Sequence, residues 1–261
     1  MLLFAEGCRS MNLLFKNLRL LLFFIFMACA QNIFAAEPFF GKASTLPNGV
    51  KKQMIGQSWR QGCPVGLDQL SYLQLSYWGF DNKVHIGELV VHQQVAREII
   101  EIFKQLYAAH FPIEKMILPE KLVKNKKFNT PVDMMNYVEA ADDTSAFFCR
   151  IDTQSPQKQS PHSFGIAIDI NPFYNPSIIY QGKTEPAAAG KYLDRNISHM
   201  GMIKEGDRVF NSFLDRGWIW DGFFSSGADY MHFNKVTSRY YSVEKLKYNP
   251  PSQRISGIPA W

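Results

Sequence analysis

The chain has 261 residues, 46% hydrophobic and 20% charged, with 17 Gly, 14 Pro and 4 Cys; it is neither collagen-like nor disordered and can bury one real core. Its formal net charge of +5 is mild and evenly spread, Lys124 to Lys127 being the one basic run, so no nucleic-acid partner is implied.

Residues 1–36 read as an export signal that starts at Met11. Lys16 and Arg19 precede an apolar stretch, Leu20 to Met27, followed by the small residues Ala28-Cys29-Ala30 and Ala35-Ala36. The stretch is shorter than the roughly 20 apolar residues a bilayer span needs, so no stable membrane span is expected after cleavage. Lipoprotein anchoring at Cys29 is the weaker alternative. Without residues 1–36 the chain carries 25 basic and 22 acidic side chains, a net of +3, and two cysteines. The protein is then expected in the periplasm, the cell envelope or the extracellular space. In such an oxidising compartment Cys63 and Cys149 are candidates for a disulfide, the alternative being two unpaired buried thiols.

Residues 37–62 show no sustained apolar period and read as a flexible lead-in, with the folded domain at 63–247. Tyr72 to Trp78 and Val84 to Val91 alternate apolar and polar residues around Asp81-Asn82-Lys83, which predicts a β-hairpin. Val95, Ile99, Ile100, Phe103, Leu106 and Tyr107 draw one apolar stripe on a helix from about His92 to Ala109. A basic, solvated loop at 121–127 and a helix around Met134 to Ala141 come next. Ala146 to Ile151 and Gly165 to Ile170 are expected as strands. A long excursion, 171–203, precedes an amphipathic helix with Val209, Phe210, Phe213 and Leu214 that Gly217 stops. Trp218 to Trp220 and Tyr230 to Phe233 then close the sheet, and 248–261 is a Pro-rich tail. The expected class is α+β: a single domain, a small antiparallel sheet with helices around it.

The stretch Ser160-Pro161-His162-Ser163-Phe164-Gly165-Ile166-Ala167-Ile168-Asp169 carries the chemistry. On a strand, Ile166, Ile168 and Ile170 face one side, while Gly165, Ala167 and Asp169 face the other. One side is core; the other holds a carboxylate with cleared space around it. His162 can fold back toward Asp169, and His232, between the apolar Met231 and Phe233, points off the core face of its strand. Two imidazoles and a carboxylate form the three-ligand set that leaves zinc an open fourth position. Asp229 is placed to act as the base.

Ser-x-His-x-x-Gly-x-Ala-x-Asp with a distant Asp-x-x-His resembles the zinc peptidases of the VanY-type D-alanyl-D-alanine carboxypeptidase and L-alanyl-D-glutamate endopeptidase family, which cut peptide stems of bacterial cell wall. Ser145 to Arg150, Asn171-Pro172, Asn175-Pro176 and Trp218 to Gly222 extend the likeness toward the endopeptidase-like branch, over roughly residues 66–235. The resemblance implies His162, Asp169 and His232 as ligands of Zn2+ on the sheet face and Asp229 as general base. It implies Arg150 as the cation on the substrate carbonyl and developing oxyanion, with Ser160 as a further substrate-side residue that helps orient the site. Asn234 stands where the family commonly has Glu or Gln, and Asp229 where it often has Glu.

The expected activity is zinc-dependent hydrolysis of a bond in the wall stem peptide, preferably L-Ala to D-Glu. Removal of terminal D-Ala, a non-catalytic zinc-containing wall-binding module and a metal-dependent phosphoesterase are the alternatives. The last would want more clustered carboxylates for two metals.

Overall fold

The computed structural model describes residues 37–153, 157–179, 182–223 and 227–236. The expected export signal with Cys29 and the tail 248–261 lie outside the described residues. No helix among the described residues is long and apolar enough to cross a membrane.

The hairpin read from the alternation is present as β2 (Leu70–Trp78) and β3 (Val84–His92), paired antiparallel from Leu70 opposite His92 to Trp78 opposite Val84. Leu73, Leu75, Leu89 and Val91 are buried by that pairing. Helix α2 (Ala96–Ala108) begins later than the apolar stripe suggests, because His92 closes the β3 ladder before the chain can coil. Its Ile99, Ile102, Phe103 and Leu106 are buried on the hairpin, at about 1.5–3 kcal/mol for each large apolar side chain removed from water.

The expected flexible lead-in is corrected by the structure, and the fold starts near Phe39 instead of Cys63. Strand β1 (Gly41–Thr45) pairs antiparallel with β2, Gly41 lying opposite Leu75 and Thr45 opposite Ser71. Helix α1 (Asn48–Met54) follows, burying Val50 and Met54 at i and i+4. An exposed edge strand is held by its backbone bonds, so its side chains carry little periodic signal, and a two-turn helix has room for only two core residues.

Helices α3 (Pro119–Leu122) and α4 (Pro131–Ala140) occupy the middle of the chain. Thr130 caps α4, its hydroxyl accepting from the Asp133 amide while Asp133 reaches back to the Thr130 amide. The basic run is solvent-exposed at its start, where Lys121 also pairs with Glu88 at 2.6 Å.

Residues 146–151 do not form the expected strand. Their amides bond to four different places: Phe147 to the Val90 carbonyl, Phe148 to that of His162, Cys149 to that of Ser58 and Arg150 to the Ser163 hydroxyl. The apolar run therefore reflects burial of a lone extended segment between elements, with no ladder. The second sheet is also shorter than expected. Strands β4 (Ala167–Asp169), β7 (Trp218–Trp220) and β8 (His232–Lys235) form a separate antiparallel sheet in the order β4-β8-β7, so the single expected sheet divides into two of three strands each. Ile166, Ile168 and Ile170 enter the core with Phe213, Trp218 and Phe233, as their alternation implied. Phe213 lies on α5 (Arg208–Leu214) and stacks on Phe233 with ring centroids 4.0 Å apart.

The 171–203 excursion is built, not loose. It holds a two-stranded ribbon, β5 (Ser177–Ile178) and β6 (Thr184–Glu185), and a 3-10 segment at Ala187–Leu193. Asn171 and Asn175 staple it, both donating to the Gly201 carbonyl, while the Asn175 amide oxygen accepts from the Ile203 N–H.

Cys63 and Cys149 are joined in a disulfide, with Cα atoms 5.9 Å apart and a sequence separation of 86. It ties the loop after α1 to the segment that ends at Arg150. Closing so long a loop reduces the entropy of the unfolded chain, so Cys149→Ser is expected to lower stability by about 2–4 kcal/mol in urea unfolding without abolishing the fold. A loss under about 1 kcal/mol would show that the cross-link does not constrain the unfolded chain as that account requires.

Candidate active site

A four-residue 3-10 turn, Pro161–Phe164, presents His162. Each position has a local reason: the Ser160 hydroxyl caps the turn by accepting from the His162 amide, Pro161 occupies the first turn, and Gly165 ends it in the left-handed region at φ +69°. Gly165 is required twice over, since a Cβ there would also sit 2.6 Å from the His92 backbone nitrogen.

His162 is fully buried and its Nδ1–H donates to the Ala146 carbonyl at 2.5 Å. A carbonyl can only accept, so Nδ1 carries the proton and Nε2 presents a lone pair. That lone pair lies 3.0 Å from Asp169 Oδ2 and 3.1 Å from His232 Nδ1. Asp169 and His232 are directly opposed across β4 and β8, with Asp169 Oδ1 at 2.9 Å from His232 Nδ1. Sequence residues 162, 169 and 232 thus converge through one tight turn and one cross-strand pair. Their donor atoms lie within 4.8 Å of one another, all on buried residues.

Three such donors repel unless a cation lies among them. Burial holds the His162 imidazole below its ordinary value, so it stays neutral. Against the cost of burial, the hydrogen bond and charge of Asp169 carry a proton on His232 up to about 9. Asp169 itself, also against burial, is held well below the usual carboxylate range by the two imidazoles. A proton on His232 is what the site accepts in place of a cation, and a donor set of two imidazoles and one carboxylate fits a divalent zinc ion.

Asp229 precedes β8 on a turn in which its amide donates to the Asp221 carbonyl. Its Oδ1 is buried and accepts no hydrogen bond. Burial, reinforced by Asp169 and Asp221 and opposed by His232, pushes its carboxyl up to about 7. A carboxyl with one buried, unbonded oxygen beside a ligand pair is suited to hold and release a proton.

Arg150 is locked to the His162 turn. Its N–H donates to Ser163 Oγ at 2.9 Å, the same hydroxyl donates to its carbonyl at 2.7 Å, and the Ser160 amide donates to that carbonyl as well. Arg150 lines a cleft together with Asp169 and Asp229; its guanidinium donates to the Ile151 carbonyl at 3.3 Å, while its Nε is buried without a partner. Ser160 does not line that cleft. It is 2% exposed, and its hydroxyl shapes the turn under His162 instead of reaching toward a substrate.

Two further carboxylates line the cleft and were not singled out by the sequence reading: Glu139 near the end of α4 and Glu185 at the end of β6. Glu139 had a signal, being a charge inside the stripe of Met134, Met135 and Val138. Glu185 had none, because its place depends on how the ribbon folds back toward α4.

Residues 153–235 are matched by the family model described as D-alanyl-D-alanine carboxypeptidase. No curated protein and no solved structure matches the chain. The matched span holds His162, Asp169, Asp229 and His232, whereas Arg150 and Glu139 precede it. This segment is thus similar to a family of peptidases, and with the buried His–Asp–His group it supports a metal-dependent hydrolase acting on peptide bonds.

Proposed function

We propose that the protein is a zinc peptidase of bacterial cell-wall stem peptides, with the L-Ala to D-Glu bond as its preferred target. The observation that carries the reading is the convergence of His162, Asp169 and His232, of which Asp169 also lines the cleft that holds Arg150 and Asp229, whose Oδ1 accepts no hydrogen bond. Zinc bound there would supply a Lewis acid and lower the pKa of water. His162, held by the Ala146 carbonyl, and His232, held by its strand, orient the donor atoms; Asp169 supplies the balancing charge. Asp229 takes a proton from the attacking water at its free oxygen and returns it to the leaving amine. Arg150, fixed by Ser163, faces the carbonyl oxygen that gains charge.

A purely structural zinc site is disfavoured, because such sites are usually closed by four protein ligands and only three converge among the described residues. The proposed location is the periplasm or cell envelope; it rests on the export pattern of residues 1–36, and the disulfide supports it. The description of the matched family favours a second reading, removal of terminal D-Ala. Incubating the zinc-loaded protein with purified stem peptides and weighing the products separates the two. Release of L-Ala supports the endopeptidase; loss of D-Ala alone replaces it with the carboxypeptidase; intact peptides overturn both.

A further inference from the structure

The cleft beside the proposed zinc ligands has more carboxyl groups than catalysis uses. Glu139, Asp169, Glu185 and Asp229 line it, and Arg150 is its one cationic wall residue. Asp169 and Asp229 have roles in the proposed reaction; Glu139 and Glu185 have none. Glu139 is 6% exposed, yet no described group donates a hydrogen bond to its carboxylate or forms an ion pair with it. It lies one helical turn on from Met135, which also lines the cleft, so its side chain projects from the cleft-facing stripe of α4. A poorly solvated carboxylate without a partner costs free energy, and a cation entering the cleft would relieve that cost.

We propose that Glu139, with Glu185 beside it, forms a subsite for a primary ammonium group of the substrate peptide. This rests on the peptidase reading and adds what the substrate must carry: an amine close to the bond that is cut. A second metal ion suits the place less well. Neither Glu139 nor Glu185 joins the donor atoms of His162, Asp169 and His232, and no other group of three or more such ligands exists among the described residues. An ammonium needs only two or three acceptor oxygens and no fixed coordination number. With Arg150 on the same wall, the cleft would read a peptide with an acceptor carbonyl or carboxylate on one side and an ammonium on the other. In the absence of such a cation, burial, with Asp169 and Glu185 adding to it and Arg150 opposing it, pushes the Glu139 carboxyl well above its ordinary value. An arriving ammonium would take the place of that proton and pair with a poorly solvated carboxylate, where a charged hydrogen bond is strongest.

The ammonium has two sources in a stem peptide, the amino terminus and the side chain of a diamino acid. Binding is measured by titration calorimetry on the zinc-loaded Asp229→Ala protein, so that bound peptide is not cut. The ligands are one stem peptide with both amines free and the same peptide acetylated at either amine. Acetylation of one amine is expected to weaken binding roughly ten- to a hundredfold, and the amine concerned names the source. Adding Glu139→Gln is expected to weaken the free-amine peptide by a similar factor and to reduce the acetylation effect to below about threefold. Should Glu139→Gln fail to fold by near-ultraviolet circular dichroism, Glu185→Gln carries the same comparison.

The proposal is overturned if neither acetylation changes affinity by more than about threefold, or if the full loss persists in the Gln variants. It is equally overturned if the free-amine peptide does not bind. Because the readout is affinity, it is distinct from the activity reading. Amine-dependent binding without hydrolysis by the parent protein would keep the subsite and sink the peptidase.

Discussion

Asp229→Ala is expected to lower the proposed stem-peptide hydrolysis by about 10²–10⁴-fold while the metal content stays that of the parent. Asp229 is not one of the three converging donors, and its Oδ1 is buried beside them with nothing bound to it. Its proton-accepting role requires the ionised form, and burial raises its carboxyl to about 7. A bound divalent cation draws that value down, so the parent loses activity as pH falls through a midpoint at or below about 7. The residual activity of the alanine variant lacks that acid limb. Stability moves in the opposite direction. A carboxyl raised above its unfolded value favours the fold when protonated, and this contribution is lost as pH rises through the folded value. In metal-free protein at pH 8, Asp229→Ala is therefore expected to be more stable than the parent, by about 1–3 kcal/mol in urea unfolding. A variant that cleaves as fast as the parent would remove Asp229 as the base.

Asp169→Ala is expected to reduce zinc from about one ion per chain to a trace, measured by elemental analysis after gel filtration. Asp169 bridges both imidazoles, at 3.0 Å to His162 and 2.9 Å to His232. Without it the two rings face one another with no charge to balance a cation. A ligand present at about a thousand times its dissociation constant adds about 4 kcal/mol to stability, so the parent should melt well above its zinc-free form. In Asp169→Ala, added zinc should leave the melting temperature unmoved. Full zinc content in that variant would show that the ion is held elsewhere.

The parts of this protein legible in sequence were those whose signal is local. The hairpin alternation and the α2 stripe are periodic over many residues, and period identifies the element that buries one face. The His162 turn is also written locally, in Ser160, Pro161 and Gly165, because capping, a fixed φ and a left-handed terminus each demand a residue type. The alternation around Asp169 and His232 fixed which way those side chains face, since neighbours on a strand point to opposite sides. What it left open was the partner strand.

The illegible parts depend on contacts made across the fold. Strand β1 is held by backbone bonds to β2 that any sequence could make, so residues 37–62 looked unstructured. Residues 146–149 are apolar because they are buried, but the amides of 147–150 bond to four separate places, and burial without a ladder cannot be told from a strand by composition. Ser160 looked like a residue of the substrate side until the turn showed its hydroxyl spent on the His162 amide.

By itself, the sequence determined an α+β chain with a hairpin, an amphipathic helix, a cysteine pair and a set of residues able to hold a metal. Only the tertiary structure decided that Asp169 and His232 stand opposite each other, that Ser163 locks Arg150 to the His162 turn, and that Glu139 and Glu185 share their cleft. The physical reason is that residue type and spacing encode local geometry and available chemistry. Burial without a partner, which singles out Asp229 and Glu139, is a property of the packed environment and exists only once distant segments have come together.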